Sequence, residues 1–177
     1  MARIAAPAVE KNLSARGYLH RLLRSLIVQD SYNSGFVESG RYAGGIIGAA
    51  ADISIIKGCH NVGTIRGSDA GGIIGEVDGK KIISWCYNEG LIEGRSYSGG
   101  ILGSTYRGWT RISESYNKGD VGSNDLASKQ QYYHAGGLVG GKANTGYADI
   151  DTLSIINSYN VGNARSLHSS DSQATSG

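Results

Sequence analysis

The sequence predicts an all-β chain folded as a parallel β-solenoid of about five coils, with an amphipathic helix over its N-terminal end. Three observations lead there. A motif of small residue, aromatic, Asn, any residue and Gly recurs, with its asparagines at Asn33, Asn61, Asn88, Asn117 and Asn160. They lie 28, 27, 29 and 43 residues apart, and a period near 28 marks stacked repeats. Four copies then reach a Gly-Gly-aliphatic-aliphatic-Gly core, at Gly44–Gly48, Gly71–Gly75, Gly99–Gly103 and Gly136–Gly140.

Residues 1–28 have no counterpart in the repeat. Met1–Leu13 is Ala-rich and reads as irregular or loosely helical, and Ser14 can cap a helix over about Ala15–Ser25. Tyr18, Leu19, Leu22, Leu23 and Leu26 fall on one side of that helix, His20, Arg21, Arg24 and Ser25 on the other. A cap over the open end of the stack is the leading expectation, because an exposed sheet edge needs cover. A basic membrane-surface or partner helix and a transit-like targeting segment are the alternatives.

Residues 29–165 carry the repeats. Five residues before each Asn stand Val28, Ile56, Ile83, Ile112 and Ile155; four after stand Val37, Ile65, Ile92, Val121 and Ala164. With the aliphatic pair of the Gly-Gly core, each copy has three short apolar stretches bounded by Gly, Asn or Ser. Short, β-branched and turn-bounded segments are strands. Three per copy suit one solenoid coil, whereas a propeller blade needs four and a longer repeat. Coils stacked about 4.8 Å apart would bring equal positions into columns.

Asn in register can bond the coils above and below as well as its own turn. Gly35, Gly63, Gly90, Gly119 and Gly162 are expected to supply positive φ at that corner. Ser31, Cys59, Cys86, Ser115 and Ser158 form a column of small side chains beside an aromatic column of Tyr32, His60, Tyr87, Tyr116 and Tyr159. Parallel side chains in adjacent coils do not give a disulfide its dihedral, so Cys59 and Cys86 read as buried free thiols ahead of a disulfide. Residues 166–177 are Ser-rich, lack apolar periodicity and are expected to be disordered.

Composition narrows the function. Pro occurs once and Gly 28 times, at fixed repeat positions rather than in a collagen period. The formal charge of +2 is concentrated at the N-terminus, where residues 1–28 carry a net of +4 and leave the repeats mildly acidic. That balance argues against a nucleic-acid groove along the repeats. No run of 18 apolar residues suggests a membrane span. No signal peptide is visible either, and the chain is expected to be a fragment of an extracellular or cell-surface protein.

No zinc, nucleophile-elbow or phosphate-loop motif is present, so the sequence suggests neither catalysis nor a cofactor or metal. The candidate binding surface is aromatic and basic, on loops that lengthen toward the C-terminus: Tyr106, Arg107 and Trp109 in one, Tyr132, Tyr133 and His134 in another, Tyr147 in a third. Aromatics on loops held by a rigid scaffold suit a glycan or a host or cell-surface protein. The competing reading is that they fold back over the C-terminal coils. Asp120 with Asp125, or Asp149 with Asp151, are the only clustered acids of the elaborated half that could serve a polysaccharide-acting β-helix enzyme.

The Tyr-Asn-x-Gly and Gly-Gly-Ile/Leu-x-Gly units, over roughly Asp30–Ala164, resemble the GLUG-type repeats of bacterial surface proteins. That family includes the N-terminal regions of immunoglobulin A-cleaving metallopeptidases. The resemblance implies a secreted or cell-wall-linked protein whose repeats serve adhesion, display or spacing; the metallopeptidase zinc motif is missing, so its activity is not implied. An accessory domain of a larger secreted hydrolase is the alternative. The fifth copy stops before any Gly-Gly core, so either the natural protein continues past Gly177 or, as expected here, a weak homodimer forms through the C-terminal coils, near Ile155 and Tyr159.

Overall fold

The computed structural model describes residues 25–122, 134–143 and 152–166. These residues are strands and turns throughout, and every strand pairing is parallel. The architecture is a β-solenoid. A first sheet stacks Ser25–Gln29, Ile53–Lys57, Lys81–Ser84, Trp109–Ser113 and Thr152–Ile156 in chain order. A second stacks the dipeptides Tyr32–Asn33, His60–Asn61, Tyr87–Asn88, Tyr116–Asn117 and Tyr159–Asn160. The third is centred on Ile65–Gly71 and Ile92–Gly99, and the fourth stacks Ile47–Ala50, Ile74–Asp78, Leu102–Arg107 and Val139–Lys142.

Each full copy thus contributes to four sheets, one more than its three apolar stretches suggest. The extra one is the Tyr-Asn dipeptide, too short and polar to show as a strand. The count of coils also changes. About three turns form the solenoid, fewer than the five expected. Strands of the fourth and fifth copies stack on them but are separated by residues outside the described set.

The expected N-terminal helix falls mostly on residues 1–24, outside the described residues. Its C-terminal end is strand instead. Ser25 and Leu26 pair with Ile53 and Ser54, so the solenoid begins at Ser25 rather than at residue 29. Backbone pairing with the next coil outweighs the weak helical pattern there. The expected disorder of the tail also lies outside the described residues beyond Ser166.

The interior holds two apolar clusters separated by glycine. Ile56, Ile83 and Ile112 stack in register and pack with Cys59, Cys86, Ile73, Ile74, Ile101, Leu102 and Val77, all fully buried. A second cluster joins Ile65, Ile92 and Val121 to Ala43 and Ala70, in a sheet whose register shifts between Gly94 and Tyr97. The two meet at the last glycine of each core: a methyl on Gly103 would lie 2.9 Å from the Ala70 carbonyl. Backbone lies on backbone there, which leaves no room for a side chain.

The positive-φ corner is not where the glycines of the Asn turn stand. It lies three residues before each Asn, at Asp30, Gly58, Trp85, Glu114 and Asn157, with a second at Asp52, Gly79 and Gly108. Gly63 and Gly90 have a different task. A methyl on either would come within 2.0 Å of the carbonyl oxygen of the equivalent glycine one coil earlier. They are glycine because the stack is close.

Candidate functional site

The five repeat asparagines form one continuous chain of side-chain hydrogen bonds. Asn33, Asn61, Asn88 and Asn117 each donate from Nδ2 to Oδ1 of the next asparagine at 2.7 Å. The same Nδ2 atoms donate to the carbonyl of the glycine two residues on, as Asn160 Nδ2 also does. That glycine's N–H returns a bond to Oδ1 in the first three copies. Both amide hydrogens are therefore used inside the stack, as a buried carboxamide requires.

Alongside, the aromatic column stacks ring on ring. Tyr32–His60, His60–Tyr87, Tyr87–Tyr116 and Tyr116–Tyr159 have centroids 5.3, 4.7, 5.0 and 5.4 Å apart. Ring faces that a planar ligand could use are covered by neighbouring rings. Among the described residues, the column ends at the outer faces of Tyr32 and Tyr159.

Cys59 and Cys86 are free and buried. Hydrogen bonding between them draws the Cys59 thiol down to about 7 and, with burial, pushes Cys86 up. Their sulfurs also bond the carbonyls of Lys57 and Ser84, so they behave as packed core groups.

The candidate loop residues separate in space by role. Arg107 stacks over the Tyr106 ring and bonds Asp78 at 2.9 Å, an ion pair between adjacent coils. Trp109 begins a strand of the first sheet and pairs with Thr152. His134 belongs to the third sheet, where its ring stacks on Tyr97 at 5.1 Å. Tyr132, Tyr133 and Tyr147 lie outside the described residues. Of the acids, Asp120 accepts from the backbone N–H and Nδ2 of Asn163 and is a turn residue. Asp125, Asp149 and Asp151 lie outside the described residues.

Two polar sites gave no signal in the sequence. Lys81 replaces Ser54 and Thr110 in an inward column and is fully buried, its Nζ donating to the carbonyls of Asp52 at 2.6 Å and Asp78 at 2.5 Å. Burial lowers its ammonium to about 8. Asp52 is one of the positive-φ corner residues, and Lys81 satisfies the carbonyl that this corner turns inward.

The other is a carboxylate pair. Asp69 is buried and accepts the Ser104 hydroxyl at 2.6 Å; Glu76 bonds the Tyr42 hydroxyl. Burial raises both carboxyls above their ordinary range. Asp69 and Glu76 stand on either side of the Gly-Gly turn, seven residues apart in sequence. Seven is an odd spacing, which strand alternation puts on opposite faces, so the strand pattern does not link them and only the turn between them does. The group can hold a proton, and among the described residues no set of three or more His, Cys, Asp or Glu converges on a metal position.

At the C-terminal end a cavity of about 530 Å³ opens into the solenoid interior between Leu138, Val139, Leu153, Ile155, Thr105 and Asn160. No described helix is long and apolar enough to cross a membrane.

Fold and site together define a parallel β-solenoid repeat protein. No family model, curated protein or solved structure matches the chain.

Proposed function

We propose that this chain is a non-catalytic repeat module of a bacterial surface or secreted protein, of the GLUG type, that serves adhesion, display or spacing. On this reading the surface loops face a glycan or a host protein outside the cell. One observation carries it. The side chains that recur are spent on contacts between coils, Asn on Asn and ring on ring, and unlike charges such as Arg66 with Glu93 and Arg107 with Asp78 also pair between coils. A scaffold whose repeated chemistry is used for its own cohesion leaves recognition to the loops. An accessory role beside a hydrolase domain uses the same scaffold.

A polysaccharide-acting enzyme is the second reading, favoured by the raised carboxyls of Asp69 and Glu76. One experiment compares the two. The purified chain is incubated with polymeric glycans and with host matrix proteins, and both binding and release of new chain ends are followed. Retention that Tyr106→Ala with Trp109→Ala weakens, without turnover, is the expected result. Turnover that disappears in Asp69→Asn would replace the module reading with the enzyme.

A further inference from the structure

The two ends of the stack carry opposite halves of the same contacts. At the N-terminal level, Asn33 Oδ1 accepts the Gly35 N–H and no asparagine among the described residues, whereas Asn61 and Asn88 Oδ1 also take the preceding asparagine. At the C-terminal level, Asn160 Nδ2 donates to Gly162, and its second hydrogen has no further asparagine to meet among the described residues. Among the described residues, the asparagine row ends on an acceptor at Asn33 and on a donor at Asn160.

The neighbouring columns repeat this relation. Tyr32 and Tyr159 end the aromatic stack, 46% and 52% exposed, each with one ring neighbour among the described residues. The column through Glu38, Arg66, Glu93, Gly122 and Arg165 begins with an acid and ends with a base. Within it, opposite charges already pair across coils, Arg66 to Glu93 at 2.6 Å. The inward column also stays open at one end: Ile56, Ile83 and Ile112 are fully buried, but Ile155 is 44% exposed. Among the described residues, the Thr152–Ile156 edge has a strand partner on one side only.

We propose that a second copy of this chain docks head to tail. The C-terminal level of one protomer receives the N-terminal level of the next in parallel register. Asn160 then donates to Asn33, Tyr159 stacks on Tyr32, and Arg165 faces Glu38, each about 4.8 Å further along the column. Two unlike patches meet, so the contact is heterologous and repeats without closing. The alternative, two C-terminal ends face to face, sets donor against donor and brings two Arg165 side chains into one interface. The proposal does not depend on the adhesive reading, since an enzyme with these ends would associate in the same way.

Charge reversal tests it on the whole 177-residue chain. Sedimentation over a wide concentration range should show mass that rises past two protomers and falls again on dilution. Glu38→Arg and Arg165→Glu should each weaken association about tenfold, since like charges then face each other. Mixing the two variants should restore growth. One kind of contact then joins the two native side chains, Arg165 and Glu38, and the other joins the two reversed charges. Both positions are exposed, and thermal melts of the single variants check that folding is intact. A mass that stops at two protomers, a strict monomer, indifference to Glu38→Arg, growth that dilution does not reverse, or no rescue on mixing each overturns the proposal.

Discussion

Gly100 lies against the side chain of Asn117: a methyl added at Gly100 would sit 2.3 Å from the carboxamide carbon and 2.2 Å from the Gly137 carbonyl oxygen. Gly45, Gly72 and Gly137 face Asn61, Asn88 and Asn160 in the same way. The second glycine of each Gly-Gly core therefore closes over the asparagine of the following copy. The two halves of the motif occur together because they touch across coils. Gly100→Ala should cost about 3 kcal/mol, since neither a backbone carbonyl nor a doubly bonded amide can give way. Urea unfolding measures it, and a loss below about 1 kcal/mol would mean that the stack opens to admit the methyl.

The asparagine chain should be strongest in its middle. Asn88→Ala strips a bond from Asn61 and another from Asn117, both buried, and should cost about 3 kcal/mol. Asn160→Ala removes the exposed terminal link and should cost about 1 kcal/mol. Equal losses in denaturant midpoint would show that the amides act independently of depth.

Trp85 holds φ 57° and is 60% exposed. An aromatic residue gains little from exposure and is strained in this region. Asn occupies the equivalent corner at Asn157. Trp85→Asn should therefore raise stability by about 1 kcal/mol, seen as a higher Tm. Trp85→Val should lower it, because a branched Cβ fits the left-handed region worst. A lower Tm for Trp85→Asn would show that the indole packs against its neighbours more than its exposure suggests.

Lys81 gives a pH dependence of fixed sign. Its folded pKa, about 8, lies below its ordinary value of 10.5 because burial disfavours the ammonium. Between those two values the unfolded chain holds a proton that the folded chain has released. Stability contributed by this group is therefore lower below about 8 and rises as pH climbs from about 8 toward 10.5. Lys81→Met should flatten that rise, which also separates it from the titration of Cys59. An unchanged slope in the variant, measured by urea midpoints across this range, would assign the effect to other groups.

The period made the columns legible. Counting five residues back from each asparagine finds Ile56, Ile83 and Ile112, which are buried and in register. It fails where the three-dimensional neighbour is not the sequence equivalent. Gly63 and Gly90 look like turn glycines but answer to a carbonyl of the previous coil. Trp85 and Glu114 occupy left-handed corners that their own propensities disfavour, so only the stack imposes them. Lys81 reads as surface because its partners are backbone carbonyls, which no side-chain pattern displays. Asp69 meets Ser104 across adjacent coils, a pairing invisible without the register of the glycine turn.

The asparagine amides all point the same way. Every Nδ2 is directed toward the following coil and every Oδ1 toward the preceding one, so their dipoles add instead of cancelling. Such a row resembles the peptide dipoles of an α-helix, with partial negative charge at its first member and partial positive charge at its last. The solenoid is thus electrically polar along its axis before a single ionised residue is counted, and its two ends present different faces to whatever approaches them.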